Sequence, residues 1–173
     1  AHIYTLPGVY SVQASVADDD GGVGTQAASV TVVDASGALA NVIDLLTPLA
    51  DNPDIQTAID WLQGEQDGLA ENGTLDMLDR DDPFAAILML KSAMLCLEAA
   101  EASDPLLDLS AIKGLIALSA KSLAVGVIAE AEAMAAKDNE LKKINLAKIL
   151  VHDGDQALMA ELKYIDALDA YLE

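Results

Sequence analysis

Basic residues are few in this chain of 173 residues: nine lysines and arginines stand against 29 aspartates and glutamates, for a formal net charge of −20. Phosphate binding needs clustered basic side chains, so nucleic acids and anionic membrane surfaces are poor partners. The excess of carboxylates favours solubility, and it favours cations or a basic partner. A solvated acidic surface explains most of these charges without any ligand.

Aromatic residues and cysteine are also scarce. Aromatic side chains make up 3% of the chain, whereas 53% of it is hydrophobic. This composition favours helices packed through small side chains over an aromatic-lined binding groove. The single cysteine, Cys96, can form no internal disulfide and lies in an apolar helical segment, where a buried, unreactive thiol is expected. The one tryptophan, Trp61, is expected to lie in the core.

Long uncharged apolar runs are missing as well. The most apolar segment, residues 109–131, is interrupted by Lys113 and Lys121, so it predicts a core helix and no membrane insertion. The first residues alternate as a strand does, and they lack the charged and apolar regions of a leader, so no signal peptide is predicted.

Residues 1–33 carry a strand pattern that the rest of the chain lacks. Apolar and polar residues alternate with a period of two, which predicts one strand at residues 10–16 and another at 28–32. A Gly-Gly pair between them can supply the positive φ angles of a hairpin turn. A shorter strand is predicted at residues 2–6, ahead of a Pro-Gly turn.

This stretch resembles the last part of a polycystic-kidney-disease (PKD) repeat, which is an immunoglobulin-like β-sandwich. The resemblance lies in His2 and Tyr4 before Pro7-Gly8, Tyr10-x-Val12, Val16-x-Asp18, Gly21-Gly22 and a closing Val-rich strand. The family's earlier strands and its Trp-Asp-Phe-Gly-Asp-Gly signature are absent, so the match covers three late strands out of about seven. It implies that the chain is the C-terminal portion of a longer protein, with a partial sandwich at residues 1–33.

An incomplete sandwich of three strands has an open apolar face and an unpaired edge. We therefore expect that face to be covered by another chain, by a second copy in a homo-oligomer, or by the helical part of this chain.

From Ser36 onward the apolar residues follow a helical period. Helix starts are predicted at Ser36, Asn52-Pro53, Asp82-Pro83, Asp104-Pro105, Asn139 and Asp155. The segment His152-Asp153-Gly154-Asp155 predicts a turn before the last helix. Unequal helices with short loops predict a compact antiparallel bundle of about six helices over residues 34–173.

Two helical segments, residues 82–100 and 142–155, carry a looser resemblance. They are similar to α-helical C-terminal modules that follow PKD-type repeats in large secreted bacterial and archaeal proteins. This resemblance implies an extracellular or cell-surface location, and it implies no catalysis.

The best candidate cation site is the acidic run Asp18, Asp19 and Asp20, because three carboxylates beside a flexible turn could offer oxygen ligands to Ca²⁺. The alternative is a solvated hairpin tip. Two further acidic groups, one at residues 79–82 and one at 153–155, are explained by helix capping and turn formation. No phosphate-loop spacing and no supported Ser/His/Asp arrangement occurs, so no catalytic or cofactor-binding residues are predicted.

These observations predict a non-catalytic extracellular or cell-surface module that acts in protein–protein interaction, anchoring or assembly. The alternative is an accessory C-terminal tail of a secreted hydrolase, acting on protein or polysaccharide, whose catalytic domain lies outside this chain. A third hypothesis makes the helical part itself an enzyme, and it requires a polar pocket with shifted carboxylate pKa values.

Overall fold

The computed structural model describes residues 8–17, 19–32, 34–64, 73–161 and 163–172. It is mainly helical, at 73%, so the predicted fold class is confirmed at that level. The described residues form strands β1 (Gly8–Ala17) and β2 (Val23–Val32), helices α1 (Ala35–Leu46), α2 (Pro53–Gln63), α3 (Thr74–Asp79), α4 (Pro83–Ser103), α5 (Ser110–Met134), α6 (Asp138–Glu161) and α7 (Tyr164–Leu172), and a 3₁₀ turn at Thr47–Leu49.

The two strands form a regular antiparallel hairpin. Ten residue pairs join them, from Gly8 opposite Val32 to Ala17 opposite Val23. Because side chains alternate along a strand, this register places Val12, Val16 and Ala28 on one face. Both strands predicted at this place are therefore confirmed. The strand predicted at residues 2–6 lies outside the described residues, and within those residues the sheet has two strands and shows neither a third strand nor a sandwich.

No helix that the structure describes lies against the hairpin. Across the ranges that the structure describes, neither strand contacts any helix. Val16 and Val23 are 73% and 67% exposed. The sequence predicts that another chain, a second copy or the helical part of this chain packs on the open face of the sheet. The described helices of this chain do not pack there. The division of the chain at residue 33 stays a prediction.

Two helix starts are confirmed by their capping bonds. The Asn52 side chain accepts a hydrogen bond from the backbone N–H of Asp54 at 2.9 Å, with Pro53 at the first helical position. The Asp82 carboxylate accepts from the N–H of Ala85 at 3.0 Å. These caps satisfy backbone donors that have no partner within the helix.

Two other predicted starts are wrong. Helix α1 is capped by Asp34, whose carboxylate accepts from Gly37 N–H at 2.8 Å, and not by Ser36. The helix predicted from Asp104-Pro105 begins at Ser110. The Asp104 carboxylate instead accepts from the N–H of Leu106, two residues on, at 3.1 Å. This local bond forms a turn, which competes with capping because the same short side chain serves both.

The seventh helix is α3, which is short and for which the sequence predicts no helix start. The count of about six is therefore too low for the described residues.

The turn predicted at residues 152–155 is also wrong. Helix α6 continues through this segment, and α7 begins at Tyr164 and not at Asp155. The reason lies at Gly154, which is buried. A Cβ atom there would lie 2.5 Å from Cε1 of Tyr171 and 3.1 Å from the carbonyl oxygen of Ala167. Glycine occupies this position because α7 packs closely onto α6, not because the chain turns.

The core is centred on α4 and α5. Helix α4 contacts α2, α3, α5 and α7, and α5 contacts α1, α4, α6 and α7. The largest buried apolar side chains are Leu39, Leu46, Ile55, Leu62, Leu90, Met94, Leu97, Leu109, Ile116 and Leu168. Trp61 and Cys96 are partly buried against this core, and burial raises the pKa of the Cys96 thiol.

Length and composition alone would allow α4 and α5, among the described helices, to cross a membrane. Core helices of soluble proteins pass the same test. Both helices here contribute side chains to the core, so residues 109–131 contribute to a core helix as predicted. The expectation of no membrane insertion stays a prediction.

We expect Gly154→Ala to destabilise the protein by about 1–3 kcal/mol, because the added methyl group overpacks the contact between α6 and α7. The matched control is Gly126→Ala in α5, where a Cβ atom would meet nothing within 4 Å. There the alanine should stabilise the helix by roughly 0.5–1 kcal/mol. Urea unfolding of both variants measures the difference, and a stabilising Gly154→Ala would contradict the packing described.

Candidate functional site

The predicted calcium ligands lie at the tip of the hairpin. Asp19 and Asp20 are exposed in the turn, next to Gly21 with its φ of 85°. Asp18 lies outside the described residues. In the part of the chain that the structure describes, no three His, Cys, Asp or Glu side chains are grouped so as to hold a metal ion. Calcium binding by Asp18, Asp19 and Asp20 stays a prediction.

The other two acidic groups have different roles. Asp82 caps α4, which confirms the capping interpretation there. The capping interpretation of Asp155 is wrong, because this residue lies inside α6 and its carboxylate faces two other helices. Its Oδ2 atom lies 2.8 Å from Nζ of Lys121, and its Oδ1 atom accepts a hydrogen bond from the Tyr171 hydroxyl at 3.0 Å.

This arrangement of Lys121, Asp155 and Tyr171 joins α5, α6 and α7. Burial raises the pKa of Tyr171 well above its usual value, and the hydrogen bond to Asp155 and the negative charge of that carboxylate raise it further. The tyrosine is therefore a stable hydrogen-bond donor at neutral pH. The three side chains fix α7 against its neighbours.

A second polar cluster surrounds the buried Lys113. Its Nζ atom lies 2.6 Å from Oε2 of Glu101 and 4.9 Å from the ring centre of Tyr164. The other oxygen of Glu101 accepts from Leu109 N–H at 2.7 Å, and the Tyr164 hydroxyl donates to the Ser110 carbonyl at 3.1 Å. The carboxylate thus binds an N–H at the start of α5, and the lysine stacks on an aromatic ring. Folding alone accounts for this cluster.

A groove of about 360 Å³ lies between α4, α5, α6 and α7. We call it the α4–α7 groove. It is lined by Asp82, Pro83, Phe84, Ile87, Ala124, Val127, Ile128, Ala147, Val151, Ala170, Tyr171 and Leu172. Its volume lies within the range of ligand-binding clefts, which runs from about 300 to 1,000 Å³. Its floor includes the buried Ile87, whereas Phe84 and Val127 are 62% and 44% exposed.

Two of the residues that line the groove are ionisable. Asp82 and Tyr171 are the ionisable residues in its lining, and each is hydrogen-bonded elsewhere, to a backbone N–H and to Asp155. The rest of the lining is apolar. The arrangement is suited to burying an apolar surface beside a single carboxylate, and it differs from the polar pocket that the enzyme hypothesis requires.

The amino-acid sequence does not predict the groove. Its apolar residues follow the same helical period as core residues, so the sequence alone does not distinguish Phe84 in the groove from a buried residue such as Leu90. The space exists because three different helices contribute alanines, Ala124, Ala147 and Ala170. The role of these alanines can be recognised only when the packing of the helices is already known.

Comparisons of the chain with models of protein families, with curated proteins and with solved structures found no match. The resemblance of residues 1–33 to a PKD repeat therefore stays a prediction.

We expect Tyr171→Phe to lower the free energy of unfolding by about 1 kcal/mol at neutral pH, because it removes the hydrogen bond to Asp155. It should also change the pH dependence. The folded-state pKa of Tyr171 is raised above the unfolded value of about 10, so its contribution is complete below that pH and is lost as pH rises further. Urea unfolding at neutral and at strongly alkaline pH should show a smaller alkaline loss in the variant. An equal loss in both proteins would contradict the assignment.

Proposed function

We propose that the chain is a non-catalytic module of an extracellular or cell-surface protein, acting in protein–protein interaction, anchoring or assembly. The observation that carries the proposal is the hairpin, whose ten residue pairs have no described helix against them. An isolated two-stranded ribbon is only marginally stable in water, so a further surface is expected to complete it.

The face to be completed is apolar. Val12, Val16, Ala28 and Val30 share it by register, and Val16 and Val30 are 73% and 38% exposed. The opposite face carries Ser11 and Ser15, together with their cross-strand partners. A strand edge offers unpaired backbone groups for β-augmentation, and the apolar face offers area for packing. Both modes of contact are typical of recognition between protein chains.

Another protein chain is the occupant that we propose for this face. A net charge of −20 on each copy opposes close self-association, which makes a second copy of this chain the weaker choice. The resemblance to a PKD repeat supports strands of an immunoglobulin-like sandwich as the kind of element with which this partner would cover the face.

The polar clusters of the helical part support a non-catalytic role. Lys113 and Asp155 are held by partners on neighbouring helices, and each contact serves the joining of those helices. The positions of these two side chains therefore need no substrate to explain them.

The proposal is tested by changing one face of the hairpin at a time. The apolar-face variant is Val12→Thr/Val16→Thr, which keeps the shape and the strand preference of the side chains. The matched control is Ser11→Thr/Ser15→Thr on the opposite face of the same strand. Each protein is immobilised and exposed to secreted and envelope fractions of the source organism, and the captured proteins are identified by mass spectrometry.

We expect the same protein to be captured by the wild type and by the control, and to be lost with the apolar-face variant. Equal capture by all three proteins, or none above background, would contradict the proposal. Sedimentation of the wild type alone should show a monomer, and a dimer that the apolar-face variant dissociates would identify a second copy as the occupant.

A further inference from the structure

We propose that the α4–α7 groove binds an amphipathic helix of a partner protein, with the apolar face of that helix in the groove and lysines or arginines beside it. The inference shares one premise with the proposed function, namely that the chain acts by contacting other proteins. It concerns a different surface, so the two can fail separately.

The lining of the groove fits the apolar face of a helix. Four helices border it, and alanines on three of them keep it open. An amphipathic helix presents apolar residues at positions i, i+3, i+4 and i+7, which form an apolar stripe that can pack into an apolar groove. Phe84, the only phenylalanine of the chain, lies at the rim with 62% of its surface exposed. Covering it would remove a large apolar surface from water.

The charge distribution favours a basic partner. Three exposed acids, Asp79, Asp81 and Asp82, lie at the turn before α4, and Asp82 also lines the groove. Three lysines on the helices that border the groove are held in ion pairs: Lys91 with Asp169, Lys121 with Asp155, and Lys148 with Glu132. Lys142 and Lys143, near the start of α6, are exposed and do not line the groove. With a net charge of −20 over the whole chain, the field around the groove attracts cations and repels acidic surfaces.

The same charge argues against other occupants. A second copy would bring another −20 to the interface, and a membrane with anionic lipids would repel the acids near α4. A neutral apolar small molecule would gain nothing from Asp82. The helix with basic flanks is the occupant that uses both the apolar lining and the carboxylate.

The test uses the full chain and two synthetic peptides. One is an amphipathic helical peptide with leucines at the i, i+3, i+4 and i+7 spacing and lysines on both flanks of the stripe. The other is identical except that every lysine is replaced by glutamate. Fluorescence anisotropy of each labelled peptide is measured against the wild type at low and at high salt.

Matched variants then locate the binding surface. Val127→Gln alters the groove, and Val125→Gln is its control, because Val125 lies on the same helix, is 45% exposed against 44%, and does not line the groove. Asp82→Asn removes the charge but keeps a side chain that caps helices equally well. Asp34→Asn is its control, because Asp34 caps α1 and lies outside the groove lining.

We expect the basic peptide to bind and the acidic one not to bind. Val127→Gln should raise the dissociation constant of the basic peptide about tenfold. Asp82→Asn should raise it roughly threefold and reduce the salt dependence of binding. Both controls should bind as the wild type does, and circular dichroism should show unchanged folding in all four variants.

Several results would overturn the inference. These are no binding of the basic peptide, equal binding of both peptides, or equal effects of the glutamines at positions 127 and 125. The same proteins are also tested with neutral and anionic vesicles and by sedimentation. Vesicle binding or self-association that Val127→Gln abolishes, without peptide binding, would assign the groove to a lipid surface or to a second copy and reject the helix. None of these results would alter the outcome of the hairpin experiment.

Discussion

The contact of α7 with α6 at Gly154 is the constraint on which the last third of the molecule depends. A side chain at this position would occupy the space taken by the Tyr171 ring and the Ala167 carbonyl. Because none is present, α7 can fold back closely along α6. Tyr171 then reaches Asp155, and that carboxylate reaches Lys121 on α5. The close packing at Gly154 joins α6 to α7, and the Asp155 carboxylate links both helices to α5.

The groove is a consequence of this arrangement. The last turn of α7 supplies one wall through Ala170, Tyr171 and Leu172, and it is placed there by the contact at Gly154. The hairpin presents the opposite situation, since its described residues pack against no helix and keep an apolar face toward solvent. The helices therefore pack against one another and leave a groove between four of them. The described residues of the hairpin leave an apolar face without a described helix against it.

The sequence predicted what is locally determined. Asn52 and Asp82 cap the helices that follow them because each acts within three residues of itself and precedes a proline. The hairpin register follows from a period of two and from the glycines in the turn. Asp104 was misassigned because its side chain serves a turn as readily as a cap. Gly154 was misassigned to a turn because the side chain that requires a glycine there is Tyr171, 17 positions further along the chain. The groove could not be predicted, since it depends on residues from four separate helices.

A double-mutant cycle between positions 154 and 171 tests the central contact most directly. The free energies of unfolding of the wild type, Gly154→Ala, Tyr171→Ala and the double variant are measured in urea. If the Tyr171 ring is what excludes a side chain at position 154, the alanine there should cost less once the ring is gone, with a coupling energy above about 1 kcal/mol. Additive effects of the two substitutions would show that α7 does not pack on α6 as described.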